Sequence, residues 1–286
     1  MLPVSAKLNL TLRVTGRRDD GYHNLVSLFV RIPSAETIFV SPLSPDGTED
    51  EIDVRGLDLR IVGENIVSRA LRLARGAGAS IPPLRAEITK ALYPGSGLGS
   101  GSGNAAAVLR WLAAQYPVLS RETWREIARR TGADVPFLFS GLSVAQAAGI
   151  GDQLRPLPPL ALTAAVAFPD WDVGTENAYA SLDSAYRDGY PMNEEGARAE
   201  MEDVFRALSE GRTVGLLPND FLPPLVEAHP QYRTLFGLFE QAKALGWGIT
   251  GSGSAAFVLF KGEGEEKTAP VLALPDWVRQ VLFFNL

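Results

Sequence analysis

The 286-residue chain contains no cysteine and only two histidines, His23 and His229. The first absence excludes disulfides, thiolate catalysis and cysteine-held metals, and the second excludes a multi-histidine metal site. Basic residues are in deficit, with 27 Lys and Arg against 33 Asp and Glu and a net charge of −6. General nucleic-acid or membrane-surface binders need a basic footprint, so neither partner is expected. An anionic small ligand stays compatible, because backbone N–H groups bind phosphate with little help from net charge. Long apolar runs are missing as well. The longest, Leu157 to Phe168, is broken by Pro158 and Pro159 and is too short to span a bilayer. The N-terminus has no basic stretch leading into an apolar one, so no signal peptide is expected and a cytoplasmic location is.

What is present reads as a globular chain, 46% hydrophobic and 21% charged. At about 150 residues per domain, its length predicts two. The cluster Pro156, Pro158 and Pro159 marks a composition break, dividing residues 1–155 from residues 156–286.

The most informative stretch is Pro94-Gly95-Ser96-Gly97-Leu98-Gly99-Ser100-Gly101-Ser102-Gly103-Asn104, with five glycines and three serines in eleven residues. Glycine lets backbone N–H groups turn toward a ligand with no Cβ in the way. A helix predicted over about Ala105 to Gln115 follows at once and adds unpaired N–H groups and a positive dipole end. Together these make an anion cradle; the alternative is a flexible linker. The Walker A pattern is absent, because no lysine follows a glycine of the loop. The dinucleotide pattern G-x-G-x-x-A matches at Gly101, Gly103 and Ala106 and again at Gly251, Gly253 and Ala256. The acidic residue near the required offset, Glu126, falls inside a predicted helix instead of ending a strand.

Elsewhere, Ala6 to Val14 alternates as a half-buried strand, with Lys7 and Asn9 on its polar face. That face is either solvated or functional. A polar turn over Gly16 to Gly21 leads to Tyr22-His23 and a strand over Leu25 to Ile32, which predicts a hairpin. The Tyr-His pair either clamps a flat ring or closes a sheet end. Further strands are expected over Glu36–Val40, Leu84–Thr89, Ser143–Gly149, Leu162–Phe168 and Ala255–Phe260, and Ser41 to Asp50 reads as a loop. Helices are expected over Ile66–Arg75, over Arg121–Arg130 capped by Ser120, from Thr175, over Ala197–Glu210 and over Tyr232–Leu245. Pro136 biases Val135 toward extended geometry. Asp134 is therefore expected at a helix-to-loop exit, as either a turn former or a functional acid.

Taken in order, these motifs resemble the GHMP kinases, which phosphorylate small metabolites. Pro94 to Ala106, around Gly97-Leu98-Gly99-Ser100, resembles their ATP loop. Lys7-Leu8-Asn9, Asp20-Gly21-Tyr22-His23, Gly132-Ala133-Asp134-Val135-Pro136, Gly174-Thr175 with Ala178-Tyr179, and Gly251-Ser252-Gly253-Ser254-Ala255 extend the likeness over nearly the whole chain. The resemblance implies an α+β, two-lobe fold, with an N-terminal ribosomal-protein-S5-like lobe that binds ATP and a C-terminal ferredoxin-like lobe. Within the family, it implies transfer of the γ-phosphoryl of ATP, with Mg²⁺, to the 2-hydroxyl of a cytidyl-diphospho-methylerythritol in non-mevalonate isoprenoid synthesis. Asp134 would be the base and Lys7 its charged neighbour. Asn65 and Lys90 would lie near the adenosine, with Pro94, Gly95, Ser96, Gly97, Leu98, Gly99, Ser100, Gly101, Ser102 and Gly103 around the phosphates. Tyr22 and Tyr179 would sandwich the cytosine, while His23, Asn9 and Thr175 would contact the substrate. A monomer or weak homodimer is expected. Other readings are a GHMP kinase for mevalonate, homoserine or a sugar, and a non-catalytic nucleotide-binding regulator. The chain departs from the family pattern at Gly103, where a second serine is usual, at Tyr93, where proline is usual, and at Leu222, where glutamate is usual.

Overall fold

The computed structural model describes residues 1–43, 49–57, 64–262 and 274–286. Part of the expected loop over Ser41 to Asp50, residues 44–48, lies outside them. In chain order the elements are β1 (Leu2–Arg17), β2 (His23–Pro42), β3 (Glu51–Arg55), α1 (Ile66–Gly76), β4 (Leu84–Thr89), α2 (Ser100–Gln115), α3 (Arg121–Thr131), α4 (Val135–Ser140) and β5 (Val144–Ala148). They continue with β6 (Gln153–Leu157), β7 (Leu162–Pro169), α5 (Thr175–Ala185), α6 (Glu194–Ser209), β8 (Gly215–Leu216), α7 (Leu222–Ala228), α8 (Gln231–Gln241), β9 (Gly246–Ile249), β10 (Ala256–Lys261) and β11 (Val278–Asn285).

The chain forms two compact units, neither continuous in sequence. Unit 1 comprises Met1–Lys7, Pro33–Pro94 and Gly99–Leu142, and unit 2 comprises Leu8–Ile32, Gly95–Leu98 and Ser143–Leu286.

In unit 1 the second half of β2 runs antiparallel to β4, from Thr37 opposite Thr89 to Pro42 opposite Leu84. β3 lies parallel to β4, Glu51 beside Arg85 and Arg55 beside Thr89, and the parallel pair is joined through α1. Asn65 starts α1 as its N-cap, its side chain accepting from Val67 N. Val67, Ala70, Leu71 and Ala74 then form the buried stripe at helical spacing. Each such apolar side chain larger than alanine contributes about 1.5–3 kcal/mol when fully buried. The helix α2 buries Ala105 to Leu109 and Leu112, and α3 buries Trp124, Ile127 and Ala128.

In unit 2 the first half of β2 pairs antiparallel with β5, Ser27 opposite Ala147, and β5 forms a hairpin with β6. A second sheet has the order β11-β7-β10-β9-β8. Its core includes Leu12, Val14, Ala165, Phe221, Tyr232, Phe239, Trp247 and Val258. Tyr232 is fully buried, which its hydroxyl can sustain because it donates to Ser254 O at 2.7 Å.

Several elements differ from expectation. The two strands predicted over Leu25–Ile32 and Glu36–Val40 are one continuous strand, because Pro33 sits at an exposed position where its missing N–H costs nothing. The helix α2 begins at Ser100, five residues before Ala105, taking Gly101 and Gly103 into its first turn. Asp134 is the residue before a helix, not the exit from one. Pro136 occupies the first turn of α4, where a missing N–H is tolerated, so its bias on Val135 is overridden. β6, β9 and β11 are strands where none was expected.

Candidate active site

Within unit 1 three groups converge at the start of α2. Lys7, on β1, is buried, and its Nζ lies 3.8 Å from Asp134 Oδ2. At that separation the two form an ion pair and not a hydrogen bond. Asp134 stands at the N-cap position of α4 yet makes no side-chain capping bond. Its carboxylate is 28% exposed, so a small molecule can reach it. Gly99 is the third member. It is the N-cap of α2, with φ 67, and a Cβ there would lie 2.9 Å from Asp134 Oδ2 and 3.4 Å from Lys7 Cε. Only glycine lets the backbone come this close in a left-handed conformation. The first turn of α2 holds no acidic residue, and Gly99 brings no side chain to cap it. Its N–H groups and dipole therefore suit an anion. Burial pushes the Lys7 ammonium below its ordinary value, and the Asp134 charge opposes that.

Beside this start lies a buried polar cluster. Glu36, in β2, is fully buried, and its Oε1 pairs with Lys90 Nζ at 2.6 Å. The same oxygen accepts from Ser100 Oγ at 2.7 Å and from Leu92 N at 3.3 Å. Lys90 also donates to Ser100 Oγ. With its amide nitrogen turned toward Glu36, Asn104 donates to Oε2 at 2.9 Å and accepts from Lys90 Nζ at 3.0 Å. Desolvation lowers the Lys90 pKa, with Glu36 opposing. Asn65, expected with Lys90 near the adenosine, uses its Oδ1 to cap α1 at 2.8 Å.

The glycines of the loop serve different purposes. A Cβ on Gly103 would sit 2.0 Å from Ser5 O, so the serine usual in relatives has no room here. Gly101, by contrast, would meet only Ile66 Cγ2 at 3.7 Å. In unit 2, Gly97 has φ 82, and a Cβ on it would lie 1.9 Å from Thr250 O. The second glycine-serine stretch braces the first there: Ser254 N donates to Gly95 O at 2.9 Å and Ala255 N to Ser96 O at 3.2 Å. A Cβ on Gly253 would lie 2.1 Å from Gly97 N. Leu98 is buried.

All five residues expected at the substrate lie in unit 2, where His23 and Tyr179 are in contact. The β1–β2 turn closes through Arg18 N to Tyr22 O at 2.7 Å, with Gly21 at φ 86, and presents Tyr22 58% exposed. His23 is buried, its ring stacked on Tyr179 with centroids 4.6 Å apart. Its Nε2 lies 2.7 Å from Asp183 Oδ1, which also accepts from Tyr190 OH at 2.8 Å. Arg17 pairs with the other oxygen at 3.2 Å. Burial works against the charged form of Asp183, but the bonds from Tyr190 and His23 outweigh it and lower its pKa. Burial, aided by Asp183, pushes the Tyr190 hydroxyl up to about 12. Asn9 is buried, and its Nδ2 donates to Ser27 Oγ at 2.8 Å while its N–H donates to Thr250 Oγ1 at 2.9 Å. Thr175 begins α5 at an exposed position.

Two partners, Glu36 and Asp183, went unnoticed in the sequence although each left a signal. Glu36 is in phase with Ile32 and Ile38 on the buried face of β2. Asp183 lies four residues after Tyr179 and so shares its helix face.

Comparison with known proteins identifies the family. Residues 65–142 match the model of the GHMP kinases N terminal domain, and residues 200–270 match the GHMP kinases C terminal model. A 4-diphosphocytidyl-2-C-methyl-D-erythritol kinase of Ruegeria pomeroyi is 36% identical over 283 residues, covering 95% of this chain and 94% of that protein. The chain belongs to the GHMP kinase family. The enzyme of the same name from Nitratidesulfovibrio vulgaris strain DP4 is 34% identical over 271 residues, 92% of this chain and 91% of its own. A crystal structure of 4-(cytidine 5'-diphospho)-2C-methyl-D-erythritol kinase matches with a TM-score of 0.71 at 33% identity, covering 91% of this chain and 90% of that one. The fold is thus the GHMP kinase fold, and the chain is an ATP-dependent kinase. Among the described residues no helix is long and apolar enough to cross a membrane.

Proposed function

We propose that this kinase transfers the γ-phosphoryl group of ATP to the 2-hydroxyl of 4-diphosphocytidyl-2-C-methyl-D-erythritol, a step toward isoprenoid precursors outside the mevalonate route. The substrate reading is supported by relatives of that name, 34% and 36% identical over nearly the full length. The chemistry rests on one observation: Lys7 Nζ and Asp134 Oδ2 lie 3.8 Å apart at Gly99, where α2 begins. Asp134 takes the proton of the attacking hydroxyl as the new O–P bond forms and the bond from the γ-phosphorus to the ADP oxygen breaks. Lys7, 3.8 Å from that carboxylate, offsets charge building on the transferring group. The N–H groups of the first turn of α2 hold phosphate oxygens in a fixed place. Asn65 and Lys90 serve the adenosine side, and the loop from Pro94 to Gly103 the phosphates. In unit 2, Tyr22, His23, Tyr179, Asn9 and Thr175 serve the cytidyl substrate, whose flat ring stacks without needing charge.

Among the described residues no group of three or more His, Asp and Glu could hold a metal. The donors near the start of α2 are Asp134 and the hydroxyls of Ser100 and Ser102. This sparse set fits Mg²⁺ that keeps several waters and is held mainly by the phosphates of ATP. When bound, Mg²⁺ would offset charge on the β- and γ-phosphates. On the same reading, residues 1–155 form the ATP-binding domain and residues 156–286 the C-terminal domain. The protein works in the cytoplasm as a monomer or weak homodimer, without nucleic acid.

The test is ATP consumption with the cytidyl substrate set against mevalonate, homoserine and galactose. Turnover with the cytidyl compound alone is expected. Turnover with one of the others, and none with the cytidyl compound, would overturn the substrate while sparing the family.

A further inference from the structure

The proposed mechanism uses Lys7, Asp134 and the start of α2 but leaves Glu36 without a part. A fully buried carboxylate is costly unless several donors satisfy it. This one has four: Lys90, Ser100 and Leu92 on Oε1, and Asn104 on Oε2. Two of them, Ser100 and Asn104, lie in the first turns of α2, while Lys90 and Leu92 stand just before the glycine loop. Glu36 thus grips the chain on both sides of the loop. It also fixes hydrogen-bond roles. Ser100 donates its only proton to Glu36 and accepts from Lys90, so that hydroxyl has no proton to offer a phosphate. Gly103 has no room for the hydroxyl of the usual serine. The side-chain hydroxyl left as a donor in this turn is that of Ser102, and the rest of the cradle is backbone.

We infer that Glu36 is a positioning residue for ATP: through Ser100, Asn104 and Lys90 it holds the first turn of α2 in its phosphate-binding geometry before nucleotide arrives. A negative charge at this helix start also balances the buried Lys90 ammonium, which the helix dipole would otherwise repel. The inference rests on the reading of the glycine loop as the ATP site. Its experiment therefore includes a measurement that needs no nucleotide.

Two variants serve: Glu36→Gln, which keeps the shape and loses the charge, and the double variant Glu36→Gln with Lys90→Met, which leaves no buried charge unpaired. ATP affinity is measured by calorimetry, KM is measured for both substrates, and amide hydrogen exchange is followed at residues 100–104 in the nucleotide-free protein. Glu36→Gln is expected to weaken ATP binding about tenfold or more, leave KM for the cytidyl substrate within twofold, and speed exchange at residues 100–104. The double variant is expected to regain thermal stability, and if the single variant does not fold, its amide exchange at residues 100–104, compared with Lys90→Met alone, carries the test, because that readout does not depend on a Lys90 contact with the nucleotide. ATP affinity within twofold of wild type in Glu36→Gln, or full recovery of ATP affinity in the double variant, would overturn the inference. Unchanged exchange at residues 100–104 would do the same. Failure of the wild-type protein to bind ATP would instead sink the nucleotide reading, with the exchange measurement still deciding the role of Glu36.

Discussion

The start of α2 and the His23 cluster are built from different materials. At Gly99 the chain offers backbone N–H groups, one buried ammonium and one reachable carboxylate, held by close backbone approach. Around His23 it offers rings: Tyr179 stacked at 4.6 Å, Tyr190 edge-on at 6.0 Å, and Asp183 orienting the imidazole. On the function proposed, the first arrangement stabilises charge that develops during a reaction and the second recognises a flat, neutral surface. A change in the first should therefore move turnover, and a change in the second should move binding of one substrate.

The largest separation is expected from Asp134→Asn. Loss of a general base lowers kcat by about 10² or more while ATP affinity changes little. Steady-state kinetics with nucleotide titration checks it, and wild-type turnover would return Asp134 to a structural role. Next is Gly103→Ser, which restores the hydroxyl usual in relatives. With the added Cβ 2.0 Å from Ser5 O, backbone must shift. Overpacking of this kind costs about 1–3 kcal/mol, read as a fall in the denaturation midpoint. A stable variant with improved ATP binding would show that the turn can relax.

Asp183→Asn tests the other side. It keeps the shape of the cluster and removes the charge that orients His23. Hydrogen bonds to charged groups contribute about 1.5–3 kcal/mol, so KM for the cytidyl substrate should rise roughly tenfold, with kcat and KM for ATP within about twofold. Burial lowers the pKa of Lys90 as well, so the pH profile is read in wild type against Lys90→Met to isolate Lys7. Its ammonium is needed protonated, and its pKa is lowered from 10.5 by burial. The alkaline limb of kcat/KM for ATP should accordingly fall at a pH below 10.5, because protonation is complete below the folded pKa and lost above it. The smallest effect belongs to Gly101→Ala, where the nearest contact is an ordinary 3.7 Å. Better helix propensity should leave stability unchanged or raise it by about 0.5–1 kcal/mol, again read as the denaturation midpoint.

The two regions also differ in how far they could be read from the residues. From residue type and spacing the glycine loop read as an anion cradle, whereas Lys7 and Asp134 were left open between two readings and took their expected roles from the family resemblance. The first turn of α2 was not, since Gly101 and Gly103 argue for a loop by propensity. The crowding against Ser5 that makes Gly103 necessary is a contact distant in sequence. The short helix α4 was hidden for a similar reason, because Pro136 reads as a break until its place in the first turn is known. Around His23, the Tyr-His pair stood out, but Asp183 did not. An acidic residue on a helix gives no sign of its partner 160 residues away. Glu36 was hidden in the same way, legible in phase and silent about Lys90 and Ser100. The strands β9 and β11 were missed because Gly246 and Gly248 punctuate one, and the half-buried, partly polar β11 shows weak alternation.

One set of kinetics decides whether the two regions do separate work: kcat and both KM values for Asp134→Asn and Asp183→Asn, measured side by side with the cytidyl substrate. The expected result is that Asp134→Asn lowers kcat by about 10² or more with both KM values nearly unchanged, while Asp183→Asn raises only KM for the cytidyl substrate. Both variants moving the same parameter, or Asp134→Asn turning over like the wild type, would contradict the account.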